Sequence, residues 1–163
     1  MSTNTIACLE RAKLLSNKGD FSKALECFSL LPKETQLTIK DLLLKSRLIL
    51  LSDSDCECPI EKAEEALNQA LTIDPENLET LIELGFFYSR IMDDEQKGRA
   101  FFERALNLSR RAIESIFEGL QEIEENSSDG RKRSIQSQRL ELILKEFASL
   151  GDENPSDDFP SQI

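Results

Sequence analysis

Ala63, Leu67 and Ala70, followed by Ile73-Asp74-Pro75-Glu76-Asn77, restrict the fold of this chain more than any other stretch. Spacings of four and three residues place the three side chains on one face of a helix. Small residues at both ends of that face let a neighbouring helix come close. Pro75 has no N–H to give and ends the helix, and Asn77 is suited to cap the next one. The pattern recurs as Ala24, Phe28 and Leu31, and again as Gly98, Phe102 and Ala105. The first positions of neighbouring copies lie 39 and 35 residues apart. Both values are near the ~34-residue period of a stacked helix-turn-helix repeat.

Two more stretches fit the same scheme. Gly19-Asp20-Phe21 precedes Ala24 and Phe28, with glycine suited to a left-handed helix end and aspartate to the start of the next helix. Leu78, Leu81, Leu84, Gly85 and Tyr88 make a large–large–small–aromatic face, and Asp93-Asp94 supplies a turn before Gly98. On these residues the chain resembles the tetratricopeptide repeat family over about residues 5 to 109. The resemblance implies an all-α fold: an antiparallel helix-hairpin stack, or α-solenoid, of about eight helices.

Helix periodicity and turn residues give the limits of the elements. A first helix runs from Thr5 to Lys18 and a second from Phe21 to Leu30, ended by Pro32. The third spans Gln36 to Leu51, and Pro59 falls in the first turn of the fourth. Near Asn107 to Ser109 the pattern leaves open a helix break or one long helix. Ile113, Ile116, Phe117, Leu120 and Ile123 form a further stripe, as do Leu140, Ile143, Leu144, Phe147 and Leu150. The expected organisation is a helical domain over residues 1–150, with repeats at 5–35, 36–76 and 77–109. Capping helices follow at 110–125 and 133–149, and an acidic, disordered tail at 151–163.

The composition argues against catalysis. There is no histidine, which removes serine–histidine and cysteine–histidine nucleophile systems. The six glycines are scattered singly, so no phosphate-binding loop is present. Adjacent carboxylates such as Asp93-Asp94 and Glu64-Glu65 read as solvated helix surface. Cys56 and Cys58 flank Glu57 in an acidic loop, yet zinc takes four ligands and no second pair lies nearby in sequence. They read as reduced thiols, and no cofactor or metal is expected.

Charge bears on the partner. The net charge is −11, which opposes binding to a nucleic acid backbone. Residues 53–79 hold nine acids against Lys62 alone. No apolar run reaches the ~18 residues of a membrane span. The first residues lack the basic start and apolar stretch of a signal peptide. The expectation is a cytoplasmic protein.

The resemblance further implies that the first helix of each pair lines a groove that holds a protein or peptide. The groove residues would be Leu9, Lys13 and Asn17 in the first repeat, Lys40, Leu43, Arg47 and Leu50 in the second, and Glu79, Ile82, Glu83, Phe86 and Arg90 in the third. Leu9 and Glu83 stand where a clamp for a C-terminal carboxylate needs basic or amide groups, so that ligand is not expected. An apolar floor with mixed charge suits a basic or amphipathic partner segment. The alternative is an acidic immunity-type or antitoxin-type inhibitor that neutralises a basic toxin or nuclease. Its contact surface would be Asp53, Asp55, Glu57, Glu61, Glu64 and Glu65. Self-association, with stacked ends or the final helix pairing between copies, is a third reading.

Overall fold

The computed structural model describes residues 3–52, 59–126, 142–143 and 145–146. The elements are α1 (Thr3–Asn17), α2 (Phe21–Ser29), α3 (Ile39–Leu51), α4 (Glu61–Ile73), α5 (Leu78–Phe86), a π-helical segment (Phe87–Ile91) and α6 (Glu95–Asn126). No strand occurs among the described residues, so the all-α expectation holds. The number of helices does not: among the described residues six α-helices are delimited, not eight. One reason is that α6 runs unbroken through Ser109. Between residues 95 and 126 there is no proline, and asparagine and serine cost a helix interior too little to end it. The expected helix at 133–149 and the tail at 151–163 lie mostly or wholly outside the described residues.

The chain divides into two units, Met1–Ala105 and Leu106–Ile163, with the boundary inside α6. In the first unit α1 packs on α2 and α3 on α4, and α2 and α3 join the two hairpins. The turn from α1 to α2 depends on Gly19 at φ +80, whose N–H reaches the Ser16 carbonyl at 3.0 Å. Asp20 occupies the N-cap of α2 but makes no side-chain capping bond. Its carboxylate instead lies 3.5 Å from Lys23 Nζ.

Helix α3 begins at Ile39 rather than Gln36, because Thr38 and Asp41 close a reciprocal capping box there. Pro59 lies ahead of α4, not in it: its carbonyl accepts from Lys62 N–H in a turn before Glu61. Helix α4 ends at Ile73, two residues before Pro75. Asn77 then caps α5, its Oδ1 accepting from Thr80 N–H at 3.0 Å and Thr80 Oγ1 at 2.8 Å.

The core follows the repeated small–large pattern. Ala24, Phe28, Ala63 and Leu67 are buried with Leu43, Leu48, Leu84, Phe87 and Tyr88 in one cluster. Ala66 and Ala70 pack with Leu42 in a second. Burying a leucine or phenylalanine side chain contributes about 1.5–3 kcal/mol, so these positions supply much of the unit's stability.

The third hairpin sets α5 against the start of α6 through its glycines. A Cβ on Gly98 would come within 2.9 Å of the Gly85 carbonyl oxygen, and one on Gly85 within 2.6 Å of the Phe102 ring. Between the two helices the backbone widens into a π turn, with Met92 N–H on the Phe87 carbonyl. This lets two consecutive aromatics, Phe87 and Tyr88, both enter the core. Asp93 then turns the chain at φ +53, and Asp94 Oδ1 accepts from Lys97 N–H at the start of α6.

Candidate partner-binding face

Helix α5 positions four of the groove residues expected from the sequence, Glu79, Ile82, Glu83 and Phe86. Asn77 fixes its start, and Leu81, Leu84 and Gly85 anchor its buried side. The opposite side carries Leu78, Ile82 and Phe86, four residues apart and therefore stacked in one stripe. All three are large apolar side chains between 36 and 40 % exposed. Arg90 extends the stripe, its guanidinium 4.2 Å from the centre of the Phe86 ring. Phe86 also meets Phe102 edge to face, with ring centres 5.0 Å apart. The result is an apolar strip with an aromatic ring held in place and a cation at one end.

Charged residues beside the strip pair with one another. Arg47 on α3 reaches across to α5, where Nη2 and Nε donate to Glu83 Oε1 at 2.6 and 3.0 Å, and Nη2 donates to Glu79 Oε1 at 2.8 Å. The Glu83 hydrogen bond, followed by that to Glu79 and by both charges, raises Arg47 above the ordinary arginine range against the opposing effect of burial. A second pair ties α1 to α3: Lys13 lies 3.8 Å from the buried carboxylate of Asp41 and 3.0 Å from Glu10. The Glu10 hydrogen bond is the main cause of Lys13's raised pKa. The first helices of the three hairpins are thus linked in series by ion pairs.

Several expected site residues do not reach this surface. Leu43 is only 2 % exposed and belongs to the core, so it presents nothing to a partner. Leu9 is likewise buried. Lys40 and Asn17 are exposed, and Leu50 is half-buried. Of the acidic surface, Asp53, Asp55 and Glu57 lie outside the described residues, as do Cys56 and Cys58. Glu61 is exposed. Glu65 pairs with Lys62 at 2.7 Å.

Glu64 is drawn inward. It accepts a hydrogen bond from the Tyr88 hydroxyl and lies 3.9 Å from Lys97 Nζ. Lys97 sits over the Tyr88 ring, 3.8 Å from its centre, and the Phe101 ring stacks parallel to that of Tyr88, with centres 5.6 Å apart. Burial, then the bond to Glu64, raises the Tyr88 pKa. This cluster fastens α4, the π segment and α6 together. Glu64 therefore serves the fold, and among the described residues of this set Glu61 is exposed while Glu64 and Glu65 are paired.

Two contributors escaped the sequence reading. Leu78 was placed with the core face, although its spacing to Ile82 and Phe86 is the signal of the outer stripe. Asp41 was not singled out, although Thr38-x-x-Asp41 has the spacing of a capping box. Among the described residues, no group of three or more cysteines and carboxylates is placed to hold a metal. Among the same residues, no helix is long and apolar enough to cross a membrane.

Comparison with known proteins adds one finding. A search of curated proteins gives no match. A profile of the tetratricopeptide repeat matches residues 60–77, the stretch that holds α4, the Asp74-Pro75 turn and the Asn77 cap. That match supports the resemblance of this chain to the tetratricopeptide repeat family, carried by the step from the second hairpin to the third.

Proposed function

We propose that this chain is a non-enzymatic protein-interaction module that holds an amphipathic segment of a partner along the outer stripe of α5. The exposure of Leu78, Ile82 and Phe86 in one row is the observation that carries this reading. Packed against the Phe102 ring and the Arg90 guanidinium, Phe86 is an anchor that need not be ordered on binding. Buried apolar anchors supply most of the energy in such contacts, and the polar rim supplies orientation.

The internal pairing of Arg47 with Glu79 and Glu83 shapes the partner's chemistry. Arg47 offsets part of the charge of both glutamates, which weakens their pull on a strongly basic ligand. Apolar side chains spaced to match the stripe are therefore the partner's main recognition element, with a carboxylate suited to Arg90. Affinity should then fall only gently with salt, since exposed charge contributes little to it.

The test is affinity capture with the intact chain, repeated with Ile82→Lys. A partner lost with this variant and retained at raised ionic strength supports the reading. Equal capture by the variant means that this stripe is the wrong face.

A further inference from the structure

We propose that the second unit pairs with a second copy of itself, through an antiparallel two-helix contact along residues 106–123 of α6. This inference is independent of the α5 stripe. It begins with an apolar row. Leu106, Ile113, Ile116, Leu120 and Ile123, with Ser109 between the first two, follow the alternating three- and four-residue spacing of a two-helix seam. Leu106, Ile116, Leu120 and Ile123 are between 38 and 68 % exposed. A helix keeps most of its stability by packing such a row, so a row left bare over about three heptads needs a cover.

Charge selects the occupant and its direction. Residues 106–113 carry Arg110 and Arg111 and no acid, whereas residues 114–126 carry five glutamates and no base. An antiparallel second copy lays each basic half on the other's acidic half and opposes the two helix dipoles favourably. A parallel copy lays Glu114, Glu118 and Glu122 against the same three residues. The contact is self-complementary, as a two-fold interface must be.

Sedimentation equilibrium on the full chain, from low micromolar to submillimolar concentration, tests this. The expected result is a reversible rise from the 18.5 kDa monomer to twice that mass. Ile116→Lys with Ile123→Lys should abolish the rise while leaving helical circular dichroism intact, because both side chains are exposed. Arg110→Glu with Arg111→Glu should weaken the dimer by about tenfold or more, since it sets acid against acid. Ile82→Lys, in the other unit, should leave the dimer unchanged, which separates this contact from the proposed partner face. A monomer at every concentration overturns the proposal, as does a dimer that survives the double lysine variant. A dimer indifferent to the arginine reversal overturns the antiparallel arrangement.

Discussion

Tyr88 shows how one residue joins several parts of this molecule. Its ring is buried between Phe87 and Phe101, and its hydroxyl reaches Glu64 of α4 with Lys97 of α6 above it. Because its pKa is raised in the folded protein, the stabilising effect of the neutral phenol is complete below the unfolded value near 10.0. It is lost as pH climbs from there through the raised folded value. Thermal melts should therefore decline above that pH, and Tyr88→Phe should decline less steeply. At lower pH the same variant should be less stable by about 1 kcal/mol, the worth of one hydrogen bond. Asn77→Ala should likewise cost about 1 kcal/mol in a urea titration, through loss of the α5 cap. Asn77 and Gly19 were legible in the sequence because each has one local task that few residues perform. Asp20 was misleading: it has a capping residue's chemistry, but its carboxylate turns to Lys23.

At the scale of elements, the hairpins were legible wherever small residues marked a close approach. Gly98 is the clearest instance, since its neighbour is the backbone carbonyl of Gly85. Gly98→Leu should lower stability by about 1–3 kcal/mol, seen as a lower denaturation midpoint with no change in helical content. The π segment was not legible. Phe86-Phe87-Tyr88 gave the signal, three consecutive aromatics that a regular helix cannot send into one core, but nothing local says how the conflict is settled. Continuity of α6 was also open in the sequence, because no residue near Ser109 either forbids or demands a break. The buried position of Leu43 was missed because helix period fixes which residues share a face, not which face meets the core.

At the scale of the whole molecule, three apolar groupings stand out among the described residues. One is the shared core of the hairpins, one the stripe of α5, and one the row along the later part of α6. The sequence pointed to binding through the first helices of the hairpins; Ile82, Glu83 and Phe86 lie on α5 and Arg90 on the π segment that follows it. It did not reveal that Glu79 and Glu83 are already occupied by Arg47, because that contact joins residues more than thirty positions apart. Of the two partner types expected from the sequence, basic and amphipathic, the proposed reading takes the amphipathic one. The central claim is that a partner segment is held on the α5 stripe by apolar contact. Titration calorimetry of a captured partner segment against the wild-type chain, Ile82→Lys and Ile116→Lys tests it most directly. The account predicts that Ile82→Lys weakens binding by about tenfold or more, or ~1.4 kcal/mol, and that Ile116→Lys binds as wild type. Unchanged affinity for Ile82→Lys would contradict it.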